Sequence, residues 1–125
     1  MKLKWTAQVS LLSIPFVFFS SLGWASPVFS ATGSRGSAAT LVMEGGSPSS
    51  ATISGLFCDT RKSILSKAEL WMPDMDHGSS PTFLNRTSEG CTQISDMDFF
   101  MPGLWEIRME TLDKETFVFT FDVRN

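Results

Sequence analysis

The sequence predicts an all-β protein, an Ig-like (Greek-key) antiparallel β-sandwich of about seven strands preceded by an export segment. Three observations carry that expectation. From Ala39 onward short runs alternate apolar and polar residues, the period of a half-buried strand. Clusters of Gly, Pro, Ser, Asn and Asp separate the runs at spacings of ~8 to 12 residues, the rhythm of a sandwich. The chain left after the export segment is 100 residues, enough for one domain with a single core.

Residues 1–25 read as a secretory signal peptide. Lys2 and Lys4 give a small positive region, an apolar run extends from Val9 to Leu22, and Gly23-Trp24-Ala25 places small residues where a signal peptidase reads them. An uncleaved anchor is the alternative, because no charge occurs between Trp5 and Ala25 and about 20 apolar residues suffice to cross a bilayer. Pro15 and four serines weaken such a span and favour cleavage after Ala25. No cysteine lies near Ala25, which excludes a lipid-modified cysteine at the new N-terminus. The expected location is periplasmic or otherwise extracytoplasmic. Cleavage removes two lysines and leaves 8 basic against 13 acidic side chains, a net charge of −5. An acidic domain is a poor partner for nucleic acid, where affinity rests on clustered Lys and Arg.

Residues 26–38, rich in Ser and Gly, are expected to form a flexible leader, and residues 39–125 the sandwich domain. Its strands follow in order. "ATLVME" and "ATISGLFC" flank the turn-rich "GGSPSS". "KAELWM" alternates into "PDMDHGSS", and "PTFLN" follows. "CTQISDMDFF" and "LWEIRME" are separated by "MPG"; in the second of these Trp105, Ile107 and Met109 face inward and Glu106, Arg108 and Glu110 face water. "TFVFTFDV" puts Phe117, Phe119, Phe121 and Val123 on one face. A helical turn is the alternative within "DTRKSILSKAEL". Trp71 and Trp105 are expected as core aromatics, and Met97 with Phe99 as a core stripe rather than a further sulfur ligand. Asn85-Arg86-Thr87 is a glycosylation sequon only in a eukaryotic host.

Consecutive strands of such a sandwich run in opposite directions, so "MPDMDHG" and "MPG" fall at the same end although Met72 and Met101 lie 29 positions apart. Cys58 closes the second expected strand and Cys91 opens the fifth, which puts both at the opposite end. Two cysteines in an exported chain usually pair. A Cys58–Cys91 disulfide is therefore expected; thiolate ligation of a metal would require the cysteines near His77, and the topology opposes it. The cysteine and tryptophan spacing of antibody domains is absent.

"ELWMPDMDHGSSP" followed by "FFMPGLWEIRM" resembles the bacterial YtkA-like and FixH-like exported domains, in which an MPxMxHG loop precedes a G-x-W-x-I strand. The similarity covers roughly residues 40–123. It implies an Ig-like sandwich outside the cytoplasmic membrane and, through the FixH-type proteins, a link to copper supply for respiratory oxidases, with a membrane protein or oxidase-assembly factor as partner. FixH-type proteins are membrane anchored, and the cysteine pair here is not part of their motif.

The residues themselves leave two readings of "WMPDMDHGSS". Met72, Met75, His77 and, from the neighbouring loop, Met101 form a set of soft donors suited to Cu(I): thioether sulfur survives an oxidising compartment and, with imidazole, selects Cu(I) over zinc or magnesium. Asp74 and Asp76 add negative potential. Alternatively, a proline-bearing turn needs Asp, Gly and Ser for its backbone geometry, Met72 caps the core, and His77 hydrogen-bonds across the loop. The single histidine, with no nucleophile motif around it, points away from an enzyme. A copper-handling module and a non-metal accessory domain that contacts a membrane protein are the contending functions.

Overall fold

The computed structural model describes residues 4–7, 27–44 and 52–124, and among these there is no helix. In chain order the strands are β1 (Lys4–Ala7), β2 (Val28–Thr32), β3 (Ala38–Glu44), β4 (Thr52–Asp59), β5 (Leu65–Met72), β6 (His77–Gly78), β7 (Phe83–Arg86), β8 (Thr92–Asp98), β9 (Gly103–Thr111) and β10 (Thr116–Arg124). They form two antiparallel sheets, β1-β10-β9-β5-β6 and β2-β3-β4-β8-β7, packed as a β-sandwich. In strand order the chain changes sheet after β1, β4, β6 and β8. The seven strands expected from the sequence distribute as first-second-fifth-fourth in one sheet and third-sixth-seventh in the other.

The period-2 patterns bury the residues they single out. Trp105, Ile107 and Met109 on β9, and Phe117, Phe119, Phe121 and Val123 on β10, face Leu41, Met43, Phe57, Ile94 and Met97 of the opposite sheet. The chain has 11 Phe and no Tyr, so the aromatic core fills space without bringing hydroxyls that would need partners inside. Rings touch across the sheets from one end to the other: Phe57 meets Phe117 edge-on at 5.2 Å, Phe99 meets Phe121 at 5.5 Å and Trp105 at 5.4 Å, and Phe29 meets Phe121 at 5.0 Å. Each such side chain, once buried, contributes about 1.5–3 kcal/mol.

Two expectations are corrected, and the helical alternative is set aside. Val28–Thr32, placed by composition in a flexible leader, is strand β2, paired with β3 along its length. Phe29 explains the difference: its ring is buried against Phe121, and one anchored aromatic outweighs the flexibility of its Ser and Ala neighbours. Within "DTRKSILSKAEL" a turn at Thr60 and Arg61 leads directly into β5, with no helical turn. Trp71, expected in the core, lies on the outer face of its sheet with the Arg108 guanidinium 5.0 Å from its ring, because Leu70 and Met72 take the inward positions on either side of it.

The expected cleavage point after Ala25 and the apolar run from Val9 to Leu22 lie outside the described residues. Within the expected signal peptide only Lys4–Ala7 is described. It adds to the edge of the first sheet, Lys4 opposite Arg124 and Ala7 opposite Phe121. Loss of that segment would leave the 121–124 part of β10 as a free edge.

Candidate functional site

The antiparallel registers place the 73–76 turn and the 99–102 connection at one end of the sandwich, and the turns at 33–37, 60–64, 87–91 and 112–115 at the other. At the first end β5 runs out at Met72, and Pro73 to Asp76 reverse the chain. The amides of Met75 and Asp76 both donate to the Met72 carbonyl, at 3.2 and 2.8 Å. Asp76 sits at φ 54°, a left-handed position that Asp tolerates better than most residues. Asp76 thus has a conformational use of its own. The chain returns as β6, which sets His77 opposite Met72 and Gly78 opposite Trp71.

The 99–102 connection meets this turn. The ring of His77 stacks on that of Phe100, centroids 5.7 Å apart and planes inclined by 21°, and Phe100 in turn meets Trp105 edge-on at 5.5 Å. Ser79 Oγ donates to the Asp98 carbonyl at 2.6 Å, and Trp105 Nε1 donates to the Met101 carbonyl at 2.9 Å, fixing the bend before β9. Gly103 opens β9 at φ 138°, where a side chain would be strained and where an added Cβ would lie 2.8 Å from Met72 Cε. The two loops expected to share an end are in direct contact.

The four expected metal ligands occupy different environments. Met72 is 2% exposed and belongs to the core. Met75 is 51% exposed at the tip of the turn. His77 is half-buried, and Met101 is half-buried against the core. The residue that touches His77 from the second loop is Phe100, not Met101. Nδ1 of His77 lies 3.2 Å from the Gly78 carbonyl; the contact requires the Nδ1–H tautomer, which leaves the lone pair on Nε2. Among the described residues no group of three or more His, Cys, Asp and Glu is arranged to hold a metal ion. The same end carries Asp74, Asp76 and Asp98, and Asp98 Oδ1 is buried without a hydrogen-bond partner among the described residues. Neither Phe100 nor Asp98 stands out in the sequence, since both read as strand positions of "SDMDFF".

The opposite end is built from polar bonds. Glu115 is fully buried and accepts from the Arg35 amide at 3.0 Å, the Ser37 amide at 3.2 Å and the Ser37 hydroxyl at 2.8 Å, with Arg61 Nη1 at 3.6 Å. Burial pushes its carboxyl up, but the Ser37 hydroxyl, the two amides and Arg61 together outweigh burial and hold it below the ordinary glutamate value. Asp113 is also lowered, first by the Thr111 hydroxyl, against some desolvation, and then by Arg61 and Arg35. Gly33 makes room for this cluster, since a Cβ there would fall 2.3 Å from Glu115 Oε2 and 2.7 Å from the Phe117 ring. On the outer face of the second sheet Cys58 and Cys91 form the disulfide, Cα to Cα 4.5 Å, one step beyond the Phe57–Thr92 pair and remote from His77 by the strand registers. Nothing in the sequence marks Glu115, whose partners lie about eighty positions earlier in a segment that reads as leader.

Comparison with family models, with curated proteins and with solved structures gave no match to this chain.

Proposed function

We propose that this protein is an exported, non-enzymatic β-sandwich module of Ig-like strand order that binds Cu(I) at the end formed by residues 72–78 and 99–102, and that it assists copper supply to a respiratory oxidase through a membrane-protein partner. The observation that supports the reading is the His77–Phe100 stack, which sets the loop of His77 and Met75 against the loop that carries Met101, at an end that also carries Asp74, Asp76 and Asp98. The disulfide supports an oxidising compartment, where thioether ligands have an advantage over thiols. The resemblance to YtkA-like and FixH-like domains supports the copper assignment. His77 with Nε2 free, Met75 at the exposed tip and Met101 beside Phe100 would be the accessible donors, and Met72 would bind only if its side chain turned out of the core.

The test is competition with a Cu(I) chelator, with one metal ion retained per chain as the expected result. His77→Ala and Met75→Leu each weaken retention, and acidification weakens it too because a protonated imidazole cannot ligate. Met109→Leu, buried on β9, changes stability without changing affinity. Absence of stoichiometric binding sinks the copper reading, and an unchanged affinity in Met101→Leu removes Met101 from the ligand set. One observation favours the other reading: Met75 at 51% and Phe100 at 45% exposure give the same end an apolar tip suited to a protein contact. A chain that binds no copper but loses a membrane-protein partner on Phe100→Ala would establish that reading instead.

A further inference from the structure

We infer that the end of the sandwich opposite the candidate metal site is a docking surface for an anionic phospholipid membrane. It is independent of copper binding and rests on three features of the turns at 60–64 and 112–115. First, Ile64 and Leu112, 47% and 61% exposed, stand side by side, because the Leu112 amide donates to the Ile64 carbonyl at 2.9 Å. They form a two-residue apolar prow, Ile64 on the crossover from β4 to β5 and Leu112 on the hairpin turn between β9 and β10.

Second, cations ring that prow. Lys62 and Lys114 flank it, and the guanidiniums of Arg35 and Arg61 are half-exposed beside it. The shallow cleft between the turns is lined by Arg61, Lys62, Ser63, Ile64, Leu112 and Asp113, a setting in which a phosphate could sit beside two cations. The carboxylates of this end are Asp59 and Glu115, both buried beneath, Asp113, already paired to Arg35 and Arg61, Glu89 on the next turn, and Glu110, which pairs across the sheet with Lys67. The other end carries Asp74, Asp76 and Asp98, with Asp122 paired to Arg124. A net-acidic domain with this polarity orients in the field of an anionic surface, cationic end first.

Third, both flanking lysines hold left-handed backbone, Lys62 at φ 51° and Lys114 at φ 74°. Glycine or asparagine would occupy those turn positions at less cost. A charged side chain kept at a strained position points to a use beyond folding. The turn that bears Lys62 is also braced: Arg86 donates to the Lys62 and Ser63 carbonyls at 2.7 and 3.0 Å, and the stem of the exposed Lys62 packs over Gly90. Docked this way, the nine residues of β10 would hold the His77 end ~30 Å from the lipid surface, facing away from it.

The experiment is sedimentation of the protein, purified from the exported compartment, with vesicles of phosphatidylglycerol or of phosphatidylcholine. At least tenfold stronger binding to phosphatidylglycerol is expected, reversed by high salt, together with loss of that preference in Lys62→Gly/Lys114→Gly and weakened binding in Ile64→Ser/Leu112→Ser. The glycine variant relieves backbone strain, so its folding is preserved, and an undiminished melting temperature verifies that. Equal binding to both lipids, or a phosphatidylglycerol preference that survives the glycine variant, overturns the proposal and leaves the prow as a contact for a protein.

Discussion

The two ends of this sandwich are held by different forces. At the Glu115 end, bonds between residues distant in sequence close the structure: one carboxylate ties the 33–37 turn to the 112–115 turn, and Cys58 is bonded to Cys91. At the His77 end the turn bonds are local, from Met75 and Asp76 back to Met72, and contact between the loops includes ring stacking and the Ser79 hydroxyl. Local bonds and exposed rings are inexpensive to rearrange. The comparison teaches where adaptable chemistry can sit, on loops that can shift carried by a frame that is locked at the far end.

The sharpest way to break that contrast is to unlock the far end. Reduction of the Cys58–Cys91 bond, or its replacement by serines, is expected to cost about 3–4 kcal/mol, since the bond closes a loop of 33 residues, and chemical denaturation measures it. A loss below about 1 kcal/mol would mean that the Glu115 cluster carries that end alone. Gly33→Ala drives a methyl group into Glu115 and Phe117, and overpacking of that kind costs about 1–3 kcal/mol. Calorimetry of this variant should show a single, lower transition.

Acid tests the same cluster by another route. The folded Glu115 carboxyl lies below its unfolded value, so the unfolded chain takes up the proton first as pH falls. The stabilisation is complete above the ordinary glutamate value and is lost as pH drops through it toward the depressed folded value. Melting temperatures measured across that range should fall in the parent and flatten in Glu115→Gln; equal slopes would show that other carboxylates set the acid limit.

Changes at the His77 end should be milder. Phe100→Ala removes a ring that is 45% exposed and is expected to cost at most about 1.5 kcal/mol, while separating the loops and so lowering Cu(I) retention. Met75→Leu should alter stability by no more than about 0.5 kcal/mol, because the side chain stands in water. A stability loss at Met75 as large as at Gly33 would erase the distinction between the ends.

By itself the sequence determined the all-β class, most strand positions, the inward sets on β9 and β10, the cysteine pairing and the common end of the two Met-bearing loops. Each follows from a repeat of two or from the alternating direction of successive strands, which short-range pattern carries. The inward neighbours of Trp71 were legible by the same alternation, and only the habit of burying tryptophan hid its outward position. Tertiary structure decided the rest. Val28–Thr32 became a strand because Phe29 finds Phe121 in the other sheet, Glu115 became a buried staple because the 33–37 turn folds over it, and Phe100 rather than Met101 met His77. Those outcomes depend on which surfaces meet in the folded chain, and no local window of sequence records the meeting of residues that lie far apart along it.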